Sequence, residues 1–457
     1  MPAVDGDSGA IASPVERPFA AVRTGYTAFA EHDVIMAKIT PCMENGKAAI
    51  ARGLTNGLAF GSTEFHVLRC SDGVLPEYVF HFIRQETFRA AAAAEMTGNV
   101  GQQRVPAEFL QHSLLPLPPL AEQRRIVAQL EALLARVTAT RERLARVPAL
   151  LKRFRQSVLA AACSGRLTAD TRQDTSDEDT GLPAAWVQGT IDDIASPLPR
   201  SIQSGPFGSN LLHSEFQHVG VLAIGIDNVL EGRFSLGRQH RVSEGKYRQL
   251  EKYTARPLDV LVTVMATVGR CCVVPADSEP AIITKHVYRI TVDQTRVDPY
   301  YLMHSLRGDP QVLEQVQAQI RGQTRPGING AILKGLRLRV PPLAEQHEIV
   351  RRVEAFFRLA DTIEQHVTAA TARADKLTQS ILARAFRGEL VPTEAGLARI
   401  EGRDYEPASM LLERTKRERA ATPSRETTRR ARTPSSVAVP AVPAAPTVKP
   451  VPLPLPL

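Results

Sequence analysis

Two long segments of the chain place hydrophobic residues at alternating steps of four and three. The first runs from Ile126 to Val158 and the second from Ile349 to Ile381. This spacing is the heptad pattern of helices that pack against a partner along a seam, so it predicts two long helices. The seam positions that we single out are Ile126, Leu130, Leu133, Val137, Leu144, Ile349, Val353, Phe356, Ile363 and Val367.

The two segments repeat one another at a shift of 223 positions. Pro-Pro-Leu-Ala-Glu-Gln at 118–123 returns at 341–346, and Gly165 returns as Gly388, with no insertion between these points. Proline suits the first turn of a helix and glycine suits its end. Two unrelated amphipathic helices are the alternative, although they would have no reason to share register and length. The repeat therefore predicts two spacer helices, at 118–167 and 341–390.

A globular domain precedes each predicted helix. Residues 1–117 and 181–340 mix short apolar runs with glycine and proline, and the runs at 33–37 and 259–263 are typical of strands. A helical piece follows in both domains, because Pro76, Tyr78, His81 and Arg84 return at the same shift. The predicted fold class is α/β (α+β), with two mixed globular domains joined by two long antiparallel coiled-coil helices in pseudo-twofold symmetry.

The predicted helices have the length of a molecular spacer. Residues 126–158, at about 1.5 Å per residue, make a rod of roughly 50 Å. One turn of B-DNA measures about 34–36 Å. Two similar domains on stiff rods could therefore reach two half-sites on one duplex. The alternative is a coiled-coil scaffold or adaptor protein that assembles other proteins without reading a DNA sequence.

Composition narrows the choice of partner and compartment. The net charge of +8 and the isoelectric point near 9.4 favour a polyanionic partner. The five cysteines form no Cys-x-x-Cys pair, which argues against a disulfide framework and a zinc site. The opening residues do not resemble a signal peptide, and no run of about 18 apolar residues occurs. We therefore expect a cytoplasmic protein.

Other segments lie outside the repeat. Residues 168–180 are polar and acidic and predict a linker, whereas 391–411 form a C-terminal extension. Residues 412–457 are basic and then proline-rich, and we expect them to be disordered. The second domain opens with Leu-Pro-Ala-Ala-Trp at 182–186, and the counterpart of this opening would fall before Met1. We therefore expect the first domain to lack its N-terminal segment.

Several motifs resemble those of type I restriction–modification specificity subunits. They are Pro-Pro-Leu-Ala-Glu-Gln with Ile-Val at 118–127 and 341–350, Ile-Leu-Ala-Arg-Ala-Phe-Arg-Gly-Glu-Leu at 381–390, Ala-Lys-Ile-Thr-Pro-Cys-Met-Glu-Asn-Gly-Lys at 37–47, Gly-Ser-Thr-Glu-Phe at 61–65 and Gly-Gln-Gln-Arg-Val-Pro at 101–106. The resemblance implies two target-recognition domains, each of which reads one half of a split double-stranded DNA sequence. It also implies a complex with two methyltransferase (modification) subunits and with motor–nuclease (restriction) subunits. S-adenosylmethionine, ATP and Mg would then belong to these partners, and this chain would hold no cofactor.

Polar and basic residues in the predicted loops are the candidate DNA contacts. Glutamine can pair with adenine and arginine with guanine through two hydrogen bonds each, while lysine can reach phosphates. The loops 101–104 and 322–325, which each begin with glycine, are the strongest base-reading candidates. For any single residue, an exposed loop position without a DNA contact is the alternative. The candidates are Lys38, Asn45, Lys47, Ser62, Gln102, Gln103, Arg104, Arg270, Lys285, Gln323, Thr324 and Arg325.

The sequence offers no catalytic motif that we would assign. Asp-Pro-Tyr-Tyr at 298–301 lacks the second proline of an adenine methyltransferase loop, and a G-x-x-x-x-G-K-[ST] phosphate loop is absent. Glu244-Gly245-Lys246 resembles a nuclease tripeptide, but so short a match arises by chance in most chains of this length. We therefore expect neither catalytic nor metal-binding residues. An enzyme with a degenerate active site is the alternative.

Overall fold

The structure is a computed structural model that describes residues 2–6, 8–172, 183–237, 239–320 and 327–421. The chain divides into two compact units, which are unit 1 (residues 1–135 and 378–457) and unit 2 (residues 136–377). Unit 1 contains the first predicted globular domain, and unit 2 contains the second. Each long helix contributes residues to both units.

The N-terminal part of unit 1 combines short strands with short helices. Its strands within the described residues are β1 (Thr27–Ala30), β2 (Val34–Ala37), β3 (Ala48–Ile50), β4 (Leu58–Gly61) and β5 (Phe65–Leu68). Its helices there are α1 (Phe19–Val22), α2 (Pro76–Ile83), α3 (Glu86–Ala94) and α4 (Ala107–His112).

Strand β2 is the central strand of the three-stranded sheet in unit 1. It lies between β3 and β5 in an antiparallel sheet, while β1 pairs with β4. All four residues of β2 are buried, because Val34 and Met36 pack with Phe80 and Ile83 of α2 while Ile35 faces a second apolar cluster. An apolar run buried on both sides explains why the sequence showed a continuous hydrophobic segment here.

The first long helix, α5, spans Leu120–Cys163 and lies inside the predicted range 118–167. Pro118 and Pro119 directly precede it. Gly165 follows it with φ +76°, the left-handed conformation in which glycine is favoured after a helix.

Unit 2 repeats the strand and helix order of unit 1 and adds further strands. Its strands are β6 (Val187–Thr190), β7 (Ile202–Ser204), β8 (Val221–Ile224), β9 (His240–Val242), β10 (Thr254–Ala255), β11 (Val260–Thr263), β12 (Cys271–Val273), β13 (Ala281–Ile283), β14 (Val287–Ile290) and β15 (Arg337–Val340). Its short helices are α6 (Ile191–Ile194), α7 (Glu244–Leu250), α8 (Pro299–Gly308), α9 (Pro310–Ile320) and α10 (Gly330–Gly335).

The central strand of unit 2 is β11, and its sheet has the order β12-β11-β14-β7. Val260 lies opposite Val273 on β12 and Ile290 on β14, as Val34 in unit 1 lies opposite Ile50 and Leu68. A second sheet has the order β10-β13-β8-β9, and β15 pairs with β6. Both predicted strand runs, 33–37 and 259–263, are therefore the central strands of their units.

The second long helix, α11, spans Leu343–Phe386. Within unit 2 it packs antiparallel to α5, because Arg155 pairs with Asp361 at 2.5 Å and Arg141 pairs with Asp375. The rings of Phe154 and Phe356 also meet, with centroids 6.0 Å apart.

The seam residues differ in burial along the two helices. Most predicted positions are buried or half-buried, whereas Phe356 and Ile363 remain 38% and 36% exposed. Two packed helices leave their flanks open, so residues at the edge of the apolar stripe keep contact with solvent.

Two helices follow in unit 1, namely α12 (Glu394–Glu401) and α13 (Ala408–Ala421). Residues 412–421, which the composition assigned to a disordered tail, continue α13, and Leu411 at their start is fully buried. The backbone N–H of Glu394 donates to a carboxylate oxygen of Glu122 on α5 at 2.6 Å, and the carboxylate of Glu394 pairs with Arg125. Residues 422–457, and most of the predicted linker, lie outside the described residues.

The repeated glutamine of the Pro-Pro-Leu-Ala-Glu-Gln motif makes the same bonds in both units. In unit 1 the Gln123 Oε1 accepts from the backbone N–H of Leu75 at 3.0 Å, and its Nε2 donates to the carbonyls of Gly73 and Pro118. In unit 2 Gln346 does the same with Asp298, Arg296 and Pro341, each displaced by 223 positions. Both side chains are fully buried. The glutamine thus fixes the start of the short helix α2 or α8 to the start of the long helix that follows.

Candidate nucleic-acid interface

Three loops of unit 1 meet beyond the end of β2. The N–H of Lys38 donates to the carbonyl of Glu64 at 3.0 Å, and the carbonyl of Lys38 accepts from the N–H of Val105 at 2.9 Å. The N–H and hydroxyl of Thr40 both donate to the carbonyl of Gln103. The structure therefore brings Lys38, Ser62, Gln103 and Arg104 into one loop cluster, although they are up to 66 positions apart in sequence.

The loop 38–47 has a fixed backbone. Its carbonyls at Ile39, Pro41 and Cys42 accept turn hydrogen bonds, and the Met43 side chain is buried in the core. Gly46 has φ +67°, a conformation that side chains other than glycine rarely adopt. Asn45 is exposed and Lys47 half-exposed at the outer side of this turn, so both side chains are held on a rigid support and face solvent.

Arg104 forms a two-pronged ion pair with Glu64. The Nε and Nη2 atoms of Arg104 lie 2.9 Å from the two carboxylate oxygens of Glu64, and Nη1 donates to the carbonyl of Gln102. These bonds lower the pKa of the Glu64 carboxyl, chiefly through the hydrogen bond from Arg104. Every nitrogen of the Arg104 guanidinium therefore has an internal partner.

Ser62 and His66 hold the neighbouring loop rather than project from it. The hydroxyl of Ser62 accepts from the N–H of Glu64 at 3.2 Å. A ring nitrogen of His66 lies 2.8 Å from the carbonyl of Val105, and burial lowers the pKa of this imidazole. Gln102 is exposed at the tip of the loop 97–104.

Unit 2 joins the corresponding loops at the end of β11. The N–H of Val264 donates to the carbonyl of His286 at 3.1 Å, and the carbonyl of Val264 accepts from Ile328 at 3.1 Å. The loop 264–270 closes through the N–H of Gly269, which donates to the carbonyl of Thr263. Lys285 is exposed beside His286, whose pKa is lowered by burial and by the charge of Lys285.

Of the remaining candidates of unit 2, only Arg270 lies among the described residues. Arg270 is half-exposed, and its carbonyl accepts from the backbone N–H of Thr263, where the loop 264–270 begins. Gln323, Thr324 and Arg325 lie outside the described residues. The next described residue, Gly327, forms a bridge with Met265 and therefore lies beside the loop 264–270.

The two loop clusters share a backbone frame and differ in their side chains. Lys38, Glu64 and Val105 in unit 1 make the backbone bonds that Val264, His286 and Ile328 make in unit 2. A lysine and an acidic residue in the first cluster thus stand where a valine and a histidine stand in the second. A shared frame with different exposed groups suits two recognition surfaces of different specificity.

Sequence reasoning missed the role of the repeated glutamate beside the glutamine. The carboxylate of Glu345 accepts from Trp186 Nε1 at 2.9 Å, from the hydroxyl of Thr168 at 2.6 Å and from Arg172 at 3.0 Å. It therefore ties α11 to the opening of the second globular domain. The repeat of Glu122 and Glu345 at one shift was the available signal, but their partners are too distant in sequence to be inferred.

The nuclease-like tripeptide has a structural role. Lys246 pairs with Glu215 at 2.7 Å, and its N–H bonds to the hydroxyl of Ser243 at the start of α7. Across the described residues, no group of three histidine, cysteine, aspartate or glutamate side chains is arranged to hold a metal ion. In the same part of the chain, every helix is too short or too polar to cross a membrane.

Two units that share one backbone frame and differ in their loop side chains are typical of a protein with two related recognition domains. Comparison with known proteins gives the family. The model of the type I restriction modification DNA specificity domain matches residues 20–149 and 229–370. The chain belongs to this family, and it is a DNA sequence specificity subunit, as the resemblance of its motifs implied.

Curated relatives agree with this assignment. The type I restriction enzyme EcoBI specificity subunit of Escherichia coli is 34% identical over 347 residues, which are 73% of this chain and 70% of the relative. The StySPI specificity subunit of Salmonella potsdam is 32% identical over 373 residues, 79% of this chain and 76% of the relative.

Solved structures confirm the predicted fold class. A chain from a study of complex assembly and conformational transition of the type I R-M system has a TM-score of 0.66 at 23% identity, covering 85% of this chain and 90% of that one. The HsdS subunit of Thermoanaerobacter tengcongensis has a TM-score of 0.56 at 22% identity, covering 85% and 89%.

Proposed function

We propose that each unit reads one half of a two-part double-stranded DNA sequence and that the chain directs adenine methylation or cleavage by partner subunits. The shared frame of the loop clusters carries this proposal. The backbone bonds around Lys38 and Val264 are the same, whereas the half-buried Lys38 side chain is replaced by the buried side chain of Val264. Two readers built in this way would recognise two different half-sites through different side chains on equivalent loops.

The proposed contacts follow from which side chains are free to bind. Lys38, Asn45 and Lys47 stand on the fixed turn of unit 1, and Arg270 and Lys285 stand on the loops of unit 2. Ammonium and amide groups can reach phosphates and base edges. Arg104 already pairs with Glu64, so we assign it to holding the loop of the free chain, and a guanine contact would require it to exchange that partner.

The partners in this proposal are two methyltransferase subunits and motor–nuclease subunits in the cytoplasm. They would supply S-adenosylmethionine, ATP and Mg, and this chain would supply only recognition. On the helix pair of unit 2, Leu150, Phe356 and Leu359 remain exposed, and Phe356 and Leu359 are three positions apart on α11. Partner subunits would cover such exposed apolar side chains if they bind to these helices.

A methyl-transfer assay tests this division of labour. The purified chain should bind duplex DNA weakly and lose affinity as salt rises, because most contacts would be to phosphates. It should transfer no methyl group from S-adenosylmethionine. Addition of the cognate methyltransferase should produce methylated adenine, and the methyltransferase without this chain should modify the same DNA far more slowly. Methyl transfer by the chain alone would refute the proposal.

A further inference from the structure

A strand and a short helix cover one edge of unit 2. Strand β6 pairs antiparallel with all four residues of β15, from Arg337 opposite Thr190 to Val340 opposite Val187. Helix α6 follows, and its Ile191 and Ile194 are buried. The positions that they cover belong to the same apolar cluster and are all buried, namely Val297, Leu333, Leu338 and Val340.

The same positions in unit 1 are only half-buried. A shift of 223 places Val74, Leu110, Leu115 and Leu117 at the counterparts of those four residues, and each keeps partial exposure to solvent. Residues 114–117 form no strand. Among the described residues, the N–H groups of Leu115 and Leu117 have no backbone partner.

A tyrosine hydroxyl nevertheless holds the backbone of the open edge of unit 1 in place. The hydroxyl of Tyr78 donates to the carbonyl of Pro116 at 2.8 Å, as that of Tyr301 donates to the carbonyl of Arg339 at 2.7 Å beside β15. Backbone groups of successive strand residues point to opposite sides. Since the carbonyl of Pro116 accepts from Tyr78, a strand added on the other side would pair with the N–H and C=O groups of Leu115 and Leu117, and the missing N–H of proline would fall where it is not needed.

Helix α13 covers this edge only in part. Leu411 is fully buried and packs close to Gly73, whereas Leu412 is 43% exposed. A cavity of about 460 Å³ remains between α13 and the edge, lined by Val74, Leu115, Leu117, Ala408, Ser409 and Leu412. It is lined mainly by apolar side chains and lies beside Leu115 and Leu117, whose N–H groups have no backbone partner among the described residues.

We infer that residues 114–117 form an acceptor edge for a polypeptide segment that is extended over four residues and then makes one helical turn with two aliphatic side chains. The segment would pair antiparallel with Leu115 and Leu117 and insert its aliphatic residues among Val74, Leu110 and Leu115. Unit 2 shows the required occupant, since residues 187–194 of this chain occupy the equivalent edge there. Strand addition of this kind takes affinity from backbone bonds and specificity from alternate side chains. This inference does not depend on which DNA sequence the chain reads.

A labelled peptide of residues 183–206 tests the inference on the full chain. We expect it to bind with a dissociation constant on the order of 10 μM, measured by fluorescence anisotropy. Leu115→Asp should weaken binding at least about tenfold, because a charge would enter the apolar site. Leu114→Asp is the matched control and should have no effect, since Leu114 is 90% exposed on the opposite face. A peptide with Ile191→Asp and Ile194→Asp should also bind at least about tenfold more weakly.

Hydrogen exchange of the unaltered chain gives a readout that needs no variant. Peptide binding should slow exchange at the amides of Leu115 and Leu117 and leave Leu338 and Val340 unchanged, because β6 already pairs with the latter two. If Leu115→Asp fails to fold by circular dichroism, Leu117→Ser replaces it. The inference is overturned by an absence of binding, by binding that these variants do not weaken, or by peptide binding without protection of Leu115 and Leu117.

Discussion

Replacing residues 183–340 with the matched domain of the EcoBI specificity subunit should change one half of the recognised DNA sequence and leave the other half intact. The reason is that the loop cluster around Val264 is built entirely from this segment, from β11 through Ile328. The cluster around Lys38 is built entirely from unit 1. The change in one half should be complete, because every proposed contact of unit 2 is exchanged.

The structure also indicates that such a graft can fold. Gln346 on α11 holds the domain through backbone atoms of Asp298 and Arg296, which the donor sequence also supplies, and of Pro341, which the exchange retains. Trp186 is the side-chain contact to keep, because its indole donates to Glu345. A second exchange that starts at residue 187 retains the native tryptophan and serves as the control for the junction. If both halves of the recognised sequence change together, or neither changes, the two units are not separate readers.

Gln346→Ala should lower the free energy of unfolding of unit 2 by about 3–5 kcal/mol. The side chain is fully buried and makes three hydrogen bonds to backbone groups. Its removal leaves one N–H and two carbonyls without partners, and each such group costs about 1–3 kcal/mol when it cannot reach water. The short helix α8 would also lose its attachment to the start of α11.

Trp186 makes this loss measurable. It is the only tryptophan of the chain, and it is buried in unit 2. Its fluorescence during urea unfolding should shift to lower urea in Gln346→Ala. Gln365→Ala is the control, because Gln365 lies exposed on the same helix. Equal midpoints for Gln346→Ala and the unaltered protein would show that the repeated glutamine does not hold the domain.

The helices could be predicted from sequence because their signal is local. The heptad spacing and the flanking proline and glycine locate α5 and α11 to within a few residues. The buried runs at 33–37 and 259–263 likewise predicted the central strands β2 and β11. A pattern of this kind follows from the geometry of one element and its buried face.

Contacts between distant residues could not be predicted in this way. Glu64 and Arg104 pair across 40 positions, and Glu345 and Trp186 across 159. Nothing in the periodicity of either segment records such a pairing, so Arg104 looked like a free base-reading group. Residues 412–421 were wrongly assigned to a disordered tail for the same reason, since α13 is held at Leu411 by contact with Gly73, far away in sequence.

A map of methylated adenines in DNA modified by this chain together with its methyltransferase shows whether the two units read two half-sites. If each unit reads one half-site, the map will show one motif with two short specified halves, separated by an unspecified gap of constant length. The motif should also disappear when this chain is omitted. A single continuous motif, or a methylation pattern that is the same with and without the chain, would contradict the assignment of two units to two half-sites.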